Sequence, residues 1–373
     1  MQKKLIALAV AGLVSAPVFA QSNVTVYGVA DVYYGFGKYD DNKFNGIESG
    51  GIAGSRLGFK GSEDLGNGLK ALFTLEYSID LDKNEGVGTT GLRARQQFAG
   101  LQGGFGFIGA GRQYAPGYFY VAKYDTSAIV PLSPYHKFAQ ANGSNIQAGS
   151  ASRVSNSVNY ISPNFGGLTV NAIYGFNEVN QDDNRTAGDL AQIGADYSNG
   201  PLSVSLIYSQ VKQDAGSIGS EKYESGNTGV PAARTPQNPT GLTVADDTKK
   251  EWFVGASYDF KVVKVTGMYN TVKDATNAKD DNSVWALGAI VPVSAAGSVR
   301  LSYAAADNDT DDTDADGWTV YYFHSLSKRT TLYTGYARIS NDDASSHSLL
   351  ASTAGQGADE NASSFVVGVN HTF

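Results

Sequence analysis

The sequence predicts an all-β fold, a transmembrane antiparallel β-barrel of about sixteen strands, and three observations predict it. Apolar and polar residues alternate with a period of two in one segment after another. The links between those segments take turns, one short and the next long. No stretch after the amino terminus approaches the ~20 apolar residues that a spanning helix needs. Gly 44, Tyr 22 and Phe 17 in 373 residues, with a mean hydropathy of −0.23, describe a chain rich in turns and aromatic rings. A chain of this length fits one barrel as readily as two ordinary domains.

The amino terminus reads as an address. Lys3 and Lys4, an apolar run from Leu5 to Val14, and Val18-Phe19-Ala20 ahead of Gln21 form a secretory signal peptide over residues 1–20. The run is too short, and too broken by Pro17, for a membrane anchor. Cleavage removes Lys3 and Lys4 with no acid, so the formal charge falls from −8 to −10. Residues 21–373 are then the barrel. The absence of cysteine excludes a disulfide scaffold and a thiolate metal site.

The strands follow in order. Val24, Val26, Gly28, Ala30 and Val32 share one face of the first, with Thr25, Tyr27, Asp31 and Tyr33 on the other. A polar loop is expected from Gly35 to Gly51. The second strand sets Arg56, Gly58 and Lys60 against Leu57 and Phe59, and Asn67-Gly68 signals a tight hairpin into the third. There Leu69, Ala71, Phe73, Leu75 and Tyr77 oppose Lys70, Thr74, Glu76 and Ser78. Similar segments recur from Arg93 to the terminal stretch Phe365 to Phe373. Short links such as Gln102 to Gly104 and Leu326 to Arg329 alternate with long ones such as Asn177 to Leu190, Val211 to Lys250 and Ser340 to Ala362. Short turns on one rim and long loops on the other are the layout of a membrane barrel.

Cost decides which face meets lipid. An arginine at the bilayer midplane costs roughly 2–4 kcal/mol, so the apolar faces look outward and Arg56, Lys70, Glu76, Arg153, Lys264 and Arg300 look into a wet interior. Arg153 shares its face with Ser155, Ser157 and Asn159, opposite Val154, Val158 and Tyr160. Arg112 shares its parity with Ile108 and Ala110, so its lumen placement rests on its position beside the next loop. Tyr174, Tyr197, Tyr208, Trp252, Tyr258, Trp285 and Trp318 near strand ends suit interfacial girdles.

One long connection stands apart. Residues 114–152 show neither strand alternation nor a helical stripe, and a loop of that length inside a compact domain implies a task. Folded into the lumen, it would narrow the pore. It carries Lys123, Asp125, Lys137 and His136 among the aromatics Tyr118, Phe119, Tyr120, Tyr124 and Tyr135.

Catalytic and ligand motifs fail on context. Gly104-Phe105-Gly106-Phe107-Ile108-Gly109 matches a dinucleotide fingerprint as a string, but Gly111, Pro116 and Gly117 allow no helix after it. There is no nucleophile elbow, and His136, His324, His347 and His371 lack metal spacing. Asp312, Asp314, Asp316 and Gly317 start a calcium loop, but its twelfth position is Phe323 where a bidentate glutamate belongs. What remains there is an acidic rim, solvated or weakly bridging lipopolysaccharide phosphates through a divalent ion. No cofactor, resident metal, catalytic residue or nucleic-acid surface is expected.

Charge at the narrowest point then carries the function. Side chains set selectivity by their sign where low-dielectric walls focus their field. Arg56, Arg93, Arg95, Arg112, Lys123, Lys137 and Arg153 lie on the wall near the loop or in it, against Asp125, Glu76 and Asp31, so a weak to moderate anion preference is expected despite the acidic total. Tyr118 is expected to line the same constriction.

Several stretches resemble the general bacterial porins, specifically the trimeric type of Neisseria and its Burkholderia relatives. They are Val24-Thr25-Val26-Tyr27-Gly28-Val29-Ala30-Asp31, Ser55-Arg56-Leu57-Gly58-Phe59-Lys60-Gly61 continuing through Glu63-Asp64-Leu65-Gly66-Asn67-Gly68, Gly111-Arg112-Gln113, Leu326-Ser327-Lys328-Arg329-Thr330 and the ending Gly368-Val369-Asn370-His371-Thr372-Phe373. The resemblance spans the mature chain. It implies a sixteen-stranded homotrimeric diffusion channel of the Gram-negative outer membrane, passing ions and small hydrophilic solutes. It also implies a third long loop folded into the lumen, contact with outer-membrane lipid and lipopolysaccharide, and a terminal Phe373 read by the barrel-assembly machinery. A substrate-selective channel and a sealed structural or adhesive barrel are the alternatives.

Overall fold

The structure, a computed structural model, describes residues 23–39, 42–83, 93–127, 131–176, 188–212, 248–273, 281–350 and 358–373. The expected signal peptide and most of the Val211 to Lys250 connection lie outside the described residues. The described strands form one closed antiparallel sheet. It opens with β1 (Asn23–Tyr39), whose one edge pairs with the final strand, β17 (Ala362–Thr372). Its other edge pairs with two strands: β2 (Asn42–Ser49) along Val32 to Tyr39 and β3 (Arg56–Gly66) along Asn23 to Val29. β2 and β3 are thus two halves of one wall strand, and the barrel is sixteen-stranded as expected.

The break between those halves is held by one carboxylate. Asp31, fully buried, accepts from the N–H groups of Gly51 at 2.8 Å, Ile52 at 3.1 Å and Ala53 at 3.0 Å, from Tyr333 Oη at 2.6 Å and from Asn370 Nδ2 at 2.7 Å. Five donors offset the cost of taking the charge out of water. The Gly35 to Gly51 segment is therefore a β-hairpin and not the polar loop the sequence suggested. Its alternation was masked because the inward positions Gly35 and Gly37 carry no side chains, their space being filled by Leu350.

The other strands follow in order, each antiparallel to its predecessor: β4 (Leu69–Ser78), β5 (Ala94–Gly103), β6 (Gly106–Tyr114), β7 (Arg153–Ile161), β8 (Leu168–Gly175), β9 (Leu190–Asn199), β10 (Leu202–Lys212), β11 (Thr248–Asp259), β12 (Lys264–Lys273), β13 (Asp281–Pro292), β14 (Gly297–Asp307), β15 (Ala315–Ser325) and β16 (Thr330–Asn341). The β3–β4 turn is Asn67-Gly68 with φ of 52° and 77°, both central residues left-handed as a two-residue hairpin requires. Val24, Phe59, Leu75, Leu206, Val254, Leu301 and Val367 are exposed on the outer face, where lipid replaces water. Ring pairs Tyr208–Trp252, Trp285–Tyr303 and Trp318–Tyr336, with centroids 4.6, 5.4 and 5.4 Å apart, form a girdle around it.

Between β6 and β7 the chain turns inward, but it is not structureless. It forms α1 (Pro116–Tyr124), α2 (Pro134–Ala141) and a 3-10 turn at Ser150–Ser152. Each helix opens on a proline, whose missing N–H costs nothing in the first turn, and Ser133 caps α2 by accepting from the His136 N–H at 3.1 Å. No apolar stripe was legible because the segment is covered on most sides, and a helix buried all round needs none. Leu132, Tyr135, Phe138 and Ile146 join Ile207, Phe253, Met268, Val284, Tyr321 and Phe323 from the inner wall in one apolar core. The core therefore sits inside the barrel, between the loop and strands β10 to β16.

Glu251 on β11 latches the loop to that wall. Fully buried, it accepts from Ser144 Oγ and the Asn145 N–H, both at 2.8 Å, from the Ile146 N–H at 3.2 Å and from Asn145 Nδ2 at 2.9 Å, with Lys249 Nζ 3.4 Å away. With the loop leaning on β9 to β16, the open side of the lumen is bounded by the strands near the seam and by β3 to β7.

Candidate functional site

On that open side, wall residues from β1 and from β3 to β7 meet the start of α1. Irregular pairing between Glu76-Tyr77 of β4 and Gln96-Ala94 of β5 turns Arg95 inward, next to Glu76. Arg95 Nε donates to Glu76 Oε1 at 2.9 Å, and its Nη2 to Tyr118 Oη at 3.2 Å. Glu76 also accepts from Tyr27 Oη at 3.0 Å and Tyr114 Oη at 2.9 Å. The rings of Tyr114 and Tyr118 stack with centroids 3.8 Å apart, and the Arg153 guanidinium lies 6.0 Å from the Tyr114 ring. Arg56 faces the lumen on β3, and its charge acts on Glu76 and Tyr118.

Burial opposes ionisation of the Tyr118 phenol, yet the guanidiniums of Arg95, Arg56 and Arg153 outweigh it and hold that phenol below its ordinary value. The potential here is positive. Three arginines share the site with one carboxylate, and that carboxylate is engaged by Arg95 and two tyrosines. Phe119, 48% exposed, projects beside them and narrows the passage with an apolar edge.

The sequence-selected residues divide accordingly. Arg56, Glu76, Arg95, Tyr118 and Arg153 come together. Arg93 lies in the β4–β5 connection, paired with Asp80. Lys123 of α1 is bound by both carboxylate oxygens of Asp196, at 2.7 and 3.0 Å, and ties the helix to β9. Lys137 is half-buried on α2, which packs against β13 to β16 and away from the cluster.

Asp125 is not a pore charge. It is 6% exposed, accepting from the Ser127 N–H at 2.9 Å and Ser133 Oγ at 2.7 Å, and it closes the turn between the helices. Arg112 is a further correction. Its register opposite Gln97 continues the outward row of Leu101 with Ile108, so it sits on the outer face, donating to the Ala94 carbonyl at 2.8 Å and Ser155 Oγ at 2.7 Å. The parity shared with Ile108 and Ala110 had marked this. Alternation also failed at Val154: Asn156 adopts φ of 47°, the parity reverses, and Val154 turns in against Ala115, Ile173 and Leu190. Tyr27 and Tyr114 complete the Glu76 site; the sequence shows Tyr27 on the Asp31 face of the first strand and Tyr114 at the start of the long loop, but not the carboxylate on which both converge.

The chain matches the family model described as Gram-negative porin over residues 7–344. It is 32% identical over 387 residues to outer membrane porin protein 32 of Delftia acidovorans, covering 100% of both chains. Its fold is similar to that of the anion-selective porin from Comamonas acidovorans, with a TM-score of 0.76 and 30% identity over 95% of this chain and 100% of the other. The trimer form of OmpT, an outer membrane protein of Vibrio cholerae, shares the fold with a TM-score of 0.63 at 18% identity, covering 94% of this chain and 99% of that one.

Proposed function

The chain belongs to the Gram-negative porin family and forms a passive diffusion channel in the outer membrane, and from that premise we propose that it prefers anions, selecting them at the cluster of Arg56, Arg95 and Arg153. The observation that carries this is the imbalance at the cluster. Glu76 is held by Arg95, Tyr27 and Tyr114, while Arg56 and Arg153 have no carboxylate partner among the described ion pairs. Several other acids do structural work: Asp31 binds the β2–β3 break, Asp125 the helix turn, Glu251 the loop and Asp196 Lys123. The net acidity of the chain therefore does not set the sign at the narrowest point. The related porin from Comamonas acidovorans is named as anion-selective, which supports the same reading.

A homotrimer fits the outer face. An arginine there is costly against lipid, and Arg112 with Gln97 and Ser155 makes a polar strip that a neighbouring copy would cover. Segment 1–20 serves as the export signal and segment 114–152 as the constriction. Phe373, hydrogen-bonded through its backbone to Gly28 and 47% exposed as a residue, suits recognition by the assembly machinery, and the outer rim suits lipopolysaccharide. The barrel fold and the family support reading the chain as a channel rather than an enzyme.

Planar-bilayer recording of the purified protein tests the proposal. Current steps in threes, with a reversal potential on the anion side of a salt gradient, are expected. Cation-sided reversal would refute the role given to the arginines. Saturation by one solute would favour a substrate-selective channel, and silence a sealed barrel.

A further inference from the structure

Below the loop, at the short-turn end of the lumen, the inner wall departs from the polar lining that barrels of this kind carry. Phe98 of β5 and Phe107 of β6 meet edge to face there, centroids 5.8 Å apart, beside a recess of about 880 Å³. The floor under Phe107 is glycine: a Cβ on Gly100 would come within 2.7 Å of its ring and one on Gly109 within 2.5 Å. The ring therefore lies flat along the wall and offers a face to the lumen. Leu72 and Ile161 flank the corner. None of these belongs to the apolar core under the loop, so the patch has no partner of its own within the described residues.

A single cation faces the same recess. Lys60 is exposed on β3, and the register Lys60–Thr74–Phe98 places it in the same inward row as the corner, two strands away. Two strand spacings are about 10 Å; the Lys60 ammonium rests 5.0 Å from the centroid of the Tyr27 ring, and a swing of its flexible stem shortens the gap. An aromatic face and an ammonium at that separation match the two ends of a small aromatic acid.

Building on the anion-channel reading, we propose that this recess is a second binding subsite, specific for aromatic carboxylates, which rest the ring on Phe98 and Phe107 and place the carboxylate at Lys60. Small inorganic anions pass it without stopping. Amphiphilic anions leaving the arginine cluster are held there before release.

The test is single-channel recording with chloride as carrier and benzoate or acetate added on the short-turn side, for the wild type, Phe98→Leu, Phe107→Leu and Lys60→Gln. Benzoate is expected to interrupt the chloride current at concentrations where acetate does not. Each phenylalanine variant should weaken that block by roughly 2- to 12-fold, the range of an aromatic pair's contribution, with chloride conductance unchanged. Lys60→Gln should weaken block by benzoate and leave any effect of neutral benzyl alcohol as it was. In a conducting channel, equal behaviour of benzoate and acetate, or undiminished block in both phenylalanine variants, overturns the subsite and leaves the channel standing. A protein that conducts no chloride sinks the channel reading and the subsite with it.

Discussion

Replacing Arg56 with glutamine removes one of the cluster's three positive charges without disturbing its hydrogen-bonded core, since Glu76 is held by Arg95, Tyr27 and Tyr114. Two unit charges 4 Å apart interact by about 1 kcal/mol at the dielectric constant of water, and more beside a low-dielectric wall. An anion passing Arg56 at contact thus gains a factor of about 5 in local concentration from that side chain alone. Ions also cross at greater distances, so Arg56→Gln should lower the anion-to-cation permeability ratio by roughly 3- to 5-fold at 0.1 M salt, where the Debye length is about 10 Å. Arg56→Lys, which keeps the charge, should change it little. The assay is the reversal potential across a tenfold KCl gradient. At 1 M salt screening acts within about 3 Å, and the variant and wild type should converge. A reversal potential unmoved by Arg56→Gln at low salt would refute the assignment of selectivity to this wall.

Glu251→Ala removes the acceptor of the Asn145 N–H and side-chain amide and leaves the buried Lys249 ammonium with the Gly143 carbonyl alone, and should cost ~3–5 kcal/mol; loop release would appear as flickering conductance and a lower Tm, and a quiet channel with unchanged Tm would contradict the latch. Asp31→Asn replaces one accepting oxygen with an NH2 group that faces donors, and should destabilise the barrel by roughly 2–4 kcal/mol in thermal melts. Burial in α2, with Lys137 nearby, lowers the pKa of His136 to about 3. Its neutral form is favoured in the folded loop, so its contribution is complete above the unfolded value near 6.5 and is lost as pH falls toward 3, by roughly 3 kcal/mol at pH 4. His136→Gln should therefore flatten the acid side of the stability profile, and parallel profiles would count against it. Arg112→Glu, on the outer strip, should shift detergent-extracted protein from trimer toward monomer by size-exclusion chromatography; an undisturbed trimer would place the interface elsewhere.

The barrel was legible because its signal is repetitive: a period of two needs only side chains to display it, and long strands such as β4 supply them. The first hairpin was lost where glycine replaced the inward side chains. The site was half legible. Arg56 and Glu76 lie on regular strands, so parity placed them correctly. Arg95 and Val154 owe their directions to local irregularities that alternation cannot represent. Arg112 shows the reverse failure, in which parity was right and proximity to the loop overruled it. The acids misled most. Asp31 and Asp125 read as lumen charges because sequence shows a charge and not the donors gathered around it, which come from positions up to 339 residues away.

That separation bears on how the molecule is made. Asp31 near the start binds Tyr333 and Asn370, 302 and 339 residues further on, and β1 meets β17 along eleven paired residues. Contacts so distant along the chain carry the largest closure entropy and form slowly. Until the last strand has been synthesised, β1 keeps a bare edge and Asp31 lacks two of its donors, so a nascent fragment gains almost nothing from partial closure. A chain that ends before β17 can neither pair the free edge of β1 nor complete the donors of Asp31, so closure of the cylinder waits on the last strand.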